Sequence, residues 1–167
     1  MKINNFAFVL ITALFLFTSF TQAQKGYPYK STEGKLSIVF PGDFVTERLK
    51  SEDNVTIKTS CTVDDQTYFV TYTLHTLELT EPVELAEVSY DSFIKAVGGK
   101  LLSKSEWKIK KNVGIKARIE LPKDESLLEY RVIIVGDIQY QVIALAAEKL
   151  YDEGTAAAFF KSFKLQK

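Results

Sequence analysis

Near its C-terminal end the chain carries two apolar runs, residues 127–135 and 138–147, separated only by Gly136-Asp137. A Gly-Asp pair between such runs predicts a β-hairpin with a two-residue turn. That turn sets Val135 opposite Ile138, Ile133 opposite Tyr140 and Tyr130 opposite Ile143. Side chains on a strand alternate with period two, so Ile133, Val135, Ile138, Tyr140 and Val142 share one face. Leu128, Tyr130, Val132, Ile134, Ile143 and Leu145 share the other. Both faces are apolar, which predicts a place in the middle of a sheet covered on both sides, with helices as the covers.

The other elements follow from the same patterns. Residues 24–34 mix Gly, Pro, Tyr, Lys and Ser without a period and read as an N-terminal lead-in. Leu36, Ile38 and Phe40 alternate as a strand that stops at Pro41-Gly42, and residues 44–49 give a short second strand. Val55, Ile57, Thr59, Cys61 and Val63 alternate with Thr56, Lys58, Ser60 and Thr62, a strand with one wet face. Tyr68, Val70, Tyr72 and Leu74 continue the meander, with Phe69 and His75 on the opposite side. Thr80 is the expected N-cap of a helix with Pro82 in its first turn. Its inner positions, Ala86, Tyr90, Phe93, Ile94 and Val97, follow the spacing of an amphipathic helix, and Gly98-Gly99 ends it.

Two further strands, residues 101–110 and 113–121, are expected around Lys111-Asn112. A final helix over residues 152–163 carries the stripe Ala156, Phe159, Phe160 and Phe163. Runs of strands joined by short turns, with segregated helices, predict the α+β class: an antiparallel β-sheet sandwiched by helices. Residues 35–167 form one globular domain on this reading.

Residues 1–23 stand apart. Lys2, the apolar run 6–17 and Thr21-Gln22-Ala23 have the order of a secretory signal peptide, with removal expected after Ala23. The apolar run is shorter than the roughly 20 residues of a membrane-spanning helix, which disfavours a retained anchor. No cysteine lies near the cleavage site, so a lipid anchor is not supported. The expected location is periplasmic or extracellular.

Composition then narrows the possibilities. Cleavage would leave 144 of 167 residues, with 20 basic against 21 acidic side chains, so no global charge draws the chain to nucleic acid or membrane. The single cysteine, Cys61, has no internal partner for a disulfide and reads as a small buried hydrophobe on a strand.

Leu36-Ser37-Ile38-Val39-Phe40-Pro41, Gly114-Ile115-Lys116-Ala117-Arg118, the hairpin 130–147 and the terminal Phe159-Phe160-Lys161-Ser162-Phe163-Lys164-Leu165 resemble the PsbP-like family. The similarity covers most of residues 35–165. That fold is shared by the extrinsic PsbP protein of photosystem II and a nuclear-import adaptor of the Ran GTPase. The resemblance implies an α/β/α sandwich that acts through protein partners and without catalysis. The matched positions are packing and turn positions, so the oxygen-evolving role of PsbP is not carried over.

Chemistry is sparse. The only histidine, His75, lies on a Thr-rich strand, and there is no Gly-x-Ser-x-Gly segment. One His and one Cys far apart are a weak basis for zinc, Asp64-Asp65 reads as a solvated turn, and no Gly-rich phosphate loop exists. No metal or cofactor is expected. Charge is unevenly placed, with 11 acidic and 3 basic residues in 43–91 against 7 basic residues and Glu106 in 100–118. Lys100, Lys104, Lys108 and Lys110 share one side of an alternating strand, which gives either a docking ridge for an acidic partner or an edge guarded against aggregation. Trp107 alternates with Ser105 and Ile109 on the other side and favours the core. Together with Tyr68, Tyr72, Tyr90 and Tyr130 it is a candidate for the rim of a pocket between sheet and helix.

The expected function is that of an exported, non-catalytic domain binding a protein or cell-envelope component through a sheet face or helix-sheet groove. The alternative is a carrier of a small ligand or lipid with a cavity between sheet and helix, and a hydrolase using His75 is a third reading. Nucleic acid is disfavoured as a partner.

Overall fold

The computed structural model describes residues 26–166. The signal peptide expected over residues 1–23 lies outside the described residues. In chain order the strands are β1 (Tyr27–Ser31), β2 (Leu36–Phe40), β3 (Val45–Lys50), β4 (Asn54–Val63) and β5 (Gln66–His75). Helix α1 (Pro82–Val97) follows, then β6 (Lys100–Ile109), β7 (Asn112–Leu121), β8 (Ser126–Val135) and β9 (Ile138–Ala147). A 3-10 turn (Glu148–Leu150), α2 (Glu153–Ser162) and β10 (Lys164–Leu165) complete the chain.

The central hairpin forms in the expected register: Val135 faces Ile138, Ile133 faces Tyr140 and Tyr130 faces Ile143. Gly136 adopts a positive φ of 62°, the conformation that a tight turn asks of its first central residue and that glycine takes without strain. The hairpin sits inside a seven-stranded antiparallel sheet of order β3-β4-β5-β9-β8-β7-β6. Consecutive strands pair as hairpins, and the one long crossing is made by α1, which leaves the centre of the sheet after β5 and returns the chain to its edge at β6.

Each sheet face has its own core. One face carries Tyr68, Val70, Tyr72, Ile133, Ile138, Tyr140 and Val142, packed under α2 and a small three-stranded sheet of order β1-β2-β10. Phe159 packs tilted against Phe40 and edge-on to Tyr68, at centroid distances of 5.2 and 5.1 Å. Fully burying such a side chain stabilises the fold by ~1.5–3 kcal/mol. The other face carries Ile115, Ala117, Ile119, Leu128, Tyr130 and Val132 beneath Ala86 and Tyr90 of α1.

Several expectations need correction. The lead-in proves to contain a strand, because Tyr27 to Ser31 pairs along the whole of β2. Pro28 is tolerated there because β1 is an edge strand. Thr80 does not cap α1; Glu81 occupies the cap position in a left-handed conformation (φ 59°) with no side-chain hydrogen bond. The helix stops as expected, with Gly98 N–H donating to Lys95 O and Gly99 N–H to Ile94 O. The β6–β7 turn is Lys110-Lys111, one residue earlier than expected, since Ile109 already pairs with Asn112. Helix α2 is capped by Asp152, whose carboxylate accepts from Gly154 and Thr155 N–H.

Candidate functional site

The four lysines do not form one ridge. Leu101 pairs with Ile119 but Ser103 pairs with Arg118, so Leu102 is an extra residue in a β-bulge. A one-residue insertion reverses which side of the sheet each later residue faces. Lys100 therefore pairs with Glu120 on the α2 side, while Lys104 and Lys108 stand opposite Ala117 and Val113 on the α1 side. Lys110 lies in the turn with φ 55°. Three of these charges are also answered from within: Lys100 meets Glu120 at 3.1 Å, Lys108 meets Glu106 at 2.6 Å, and Lys104 meets Glu87. The Lys104 ammonium sits 4.3 Å from the Tyr90 ring centroid as well. As the outer strand of the sheet, β6 with its bulge and lysines has the features that protect an edge from pairing.

The five aromatic rim candidates are divided between the two faces. Tyr68, Tyr72 and Trp107 belong to the core under α2, with Trp107 5.3 Å from Phe163. Tyr90 and Tyr130 belong to the core under α1. Hydrophobic alternation places each residue in or out correctly, but the strand order decides which face of the sheet it shares. Two of the hydroxyls are engaged. Tyr72 accepts from Ser31 Oγ at 2.8 Å, and Tyr130 accepts from Gln141 Nε2 at 3.0 Å. Burial pushes both phenols up to about 12.

His75 makes no side-chain hydrogen bond to any Ser, Asp, Glu or Cys among the described residues, and its Nε2 is buried without a partner. A nucleophile and base in contact, which acyl transfer requires, are not assembled around it. Cys61 is buried and its thiol is pushed up by burial, the behaviour of a packing residue. No group of His, Cys, Asp and Glu among the described residues is arranged to hold a metal ion.

The surface that stands out lies beside α1. This helix packs mainly on β7 and β8 and touches β9 through Ser89, whose Oγ accepts from Gln139 and Gln141 Nε2 at 3.1 and 3.3 Å, so Ile143 and Leu145 of β9 and Phe69 of β5 on the same face stay only partly buried. Phe69, Ile143 and Leu145 form one wall of the resulting groove, with Leu128 at its floor and Phe93 and Val97 of α1 opposite. The cavity has a volume of about 310 Å³ and is open to solvent. Lys58 lines its far side with the ammonium 5.1 Å from the Phe69 ring centroid, and no carboxylate is among the lining residues. The sequence held one signal for it: Phe69 is a large aromatic among Thr67, Thr71 and Thr73 on the wet side of β5.

No family model and no curated protein sequence matches the chain. Among solved structures it is similar to the solution structure of cyanobacterial PsbP (CyanoP) from Synechocystis sp. PCC 6803. The TM-score is 0.61 at 11% identity, covering 87% of this chain and 95% of that one. A crystal structure from Bacteroides thetaiotaomicron VPI-5482 aligns with a TM-score of 0.44 and 10% identity, over 85% of this chain and 49% of that one. The similarity to CyanoP establishes a PsbP-like fold, as the sequence resemblance implied.

Proposed function

We propose that this PsbP-like domain is an exported, non-catalytic binding module that takes apolar side chains of a protein or cell-envelope partner into the groove between α1 and strands β9 and β5. The observation that carries this reading is the incomplete cover of the α1 face, which leaves Phe69, Ile143 and Leu145 as an apolar wall with solvent on one side. Docking two or three partner side chains there removes apolar surface from water at ~25 cal/mol per Å². That His75, the only histidine of the sequence, contacts no Ser, Asp, Glu or Cys side chain by hydrogen bond among the described residues supports a role without chemistry. A secretory signal at residues 1–23 would deliver the domain to the envelope or beyond.

The cavity volume favours a second reading, a carrier of a small apolar ligand. At about 310 Å³ the groove reaches the lower end of the range for small-molecule sites, which is ~300–1,000 Å³. Such sites bury ~70–90% of their ligand, however, and an open groove suits the protruding side chains of a partner better.

A photo-crosslinking residue placed at Val97, with Lys123 as a remote control position, separates these readings. Adducts with a discrete envelope protein from Val97 alone, lost on Phe69→Asp, support the docking module. Saturable binding of a fluorescent fatty acid, lost in the same variant, supports the carrier. If neither occurs, the groove is not a recognition site.

A further inference from the structure

On the opposite side of the sheet, β7 and β8 build a second constellation of different chemistry. Across their ladder Lys116 pairs with Arg131 and Arg118 with Glu129. On the β6 side Ser105 stands opposite Lys116 and Ser103 opposite Arg118. These side chains line a polar cavity of about 200 Å³.

Its charges are not balanced. Arg118 is engaged by Glu153 and lies 3.9 Å from Glu129, and Glu129 is also 3.6 Å from Arg131. Lys116 forms no ion pair among the described residues. Three cations thus share two carboxylates, and one of these, Glu129, is divided between both arginines.

Arg131 is held in place by packing. Its guanidinium lies 4.0 Å from the Phe160 ring centroid and 5.9 Å from that of Trp107. Its Nε is buried and has no acceptor among the described residues. Desolvation lowers its affinity for a proton, and Glu129 only partly offsets that effect. A buried donor without an acceptor is costly, and a ligand that supplies one recovers that cost.

We infer that this cavity binds a small oxyanion, a carboxylate or phosphate group, between Lys116 and Arg131 with the Ser103 and Ser105 hydroxyls as further donors. An anion adds the negative charge that the cluster lacks and gives the arginine two acceptor oxygens of the kind its fork pairs with best. Glu129 orients the two arginines and opposes a ligand of higher charge. The cavity lies across the sheet from the α1 groove, so the inference stands independently of the docking function.

Trp107 is the only tryptophan and adjoins Arg131, so intrinsic fluorescence reports on the site. Inorganic phosphate and succinate are titrated separately to about 50 mM at constant ionic strength, which holds screening fixed. A saturable change with at least one of them is expected. In Lys116→Ala, whose side chain is exposed and whose loss leaves the fold intact, the apparent Kd should rise about tenfold, the loss of one charge-assisted hydrogen bond. Lys123→Ala should titrate like the parent protein. The arm that responds identifies the preferred anion. A linear, unsaturable response in both arms, or an unchanged titration in Lys116→Ala, overturns the assignment.

Discussion

Ser31 donates a hydrogen bond of 2.8 Å to the hydroxyl of Tyr72, joining the three-stranded sheet to the seven-stranded one. Ser31 Oγ in turn accepts from Gly34 N–H at 2.9 Å, and Tyr72 donates at 3.5 Å to Glu33, which Arg48 of β3 holds with two bonds of 2.8 and 2.9 Å. Ser31 and Tyr72 are both buried, at 8% and 3% exposure, so water cannot replace a lost partner. Tyr72→Phe should therefore lower the unfolding free energy by ~1–3 kcal/mol, the cost of a buried hydroxyl left unsatisfied. Urea denaturation measures this, and Ser31→Ala in the Tyr72→Phe background should cost less than Ser31→Ala alone.

Stability should fall in alkali. The ordinary tyrosine value is 10.0, and burial raises Tyr72 and Tyr130 to about 12 in the folded protein. The folded state therefore holds protons that the unfolded chain releases, and that contribution is complete below pH 10 and lost as pH rises through 12. Denaturant midpoints measured from pH 9 to 12 should decline across that window, and less steeply in Tyr72→Phe. A flat profile would show that these phenols are not shielded.

Gly114→Ala should be strongly destabilising. A Cβ at this position would lie 2.1 Å from Val132 O and 2.9 Å from Ile133 Cα, both backbone atoms that cannot step aside. Gly114 is also the cross-strand neighbour of Trp107. A loss of about 3 kcal/mol, the upper end of overpacking costs, is expected by urea denaturation together with a changed near-UV signal from Trp107.

The cap of α2 depends on Asp152, whose carboxylate accepts from Gly154 N, Thr155 N and Thr155 Oγ1. Asp152→Ala should cost about 1 kcal/mol at neutral pH, and Asp152→Asn less. Hydrogen bonds from Thr155 hold this carboxyl below its ordinary 3.8. Its charge-dependent contribution is therefore present above that value and disappears as pH falls through the lower folded value, so the difference between parent and Asp152→Ala should narrow in acid. Thermal melts at pH 7 and pH 2.5 test both statements.

The lysines of β6 and its turn should differ from one another. Lys104→Glu places a carboxylate beside Glu87 and removes the cation over Tyr90, at an expected cost of about 1 kcal/mol. Lys110→Glu, in the exposed turn, should stay within about 0.5 kcal/mol of the parent protein. Equal effects would mean that the Lys104 contacts contribute nothing.

The local elements are legible in the residue pattern alone. The period of two on either side of Gly136-Asp137 set the hairpin register, Ala156, Phe159 and Phe160 marked the packed side of α2, and Gly98-Gly99 marked the end of α1. These features follow from backbone conformation and side-chain period within a few neighbouring residues, and such information is written along the chain. Other features arise only from long-range pairing. The extra residue at Leu102 sent Lys100 and Lys104 to opposite sides of the sheet, and β1 appeared where a lead-in was expected because β2 offered it a partner. Strand order separated Tyr72 from Tyr130, left Phe69 beside a partly covered stretch of β9, and brought Arg131 next to Lys116. Each of these depends on which distant strands pair and in what register, and no periodicity within a single strand encodes that choice.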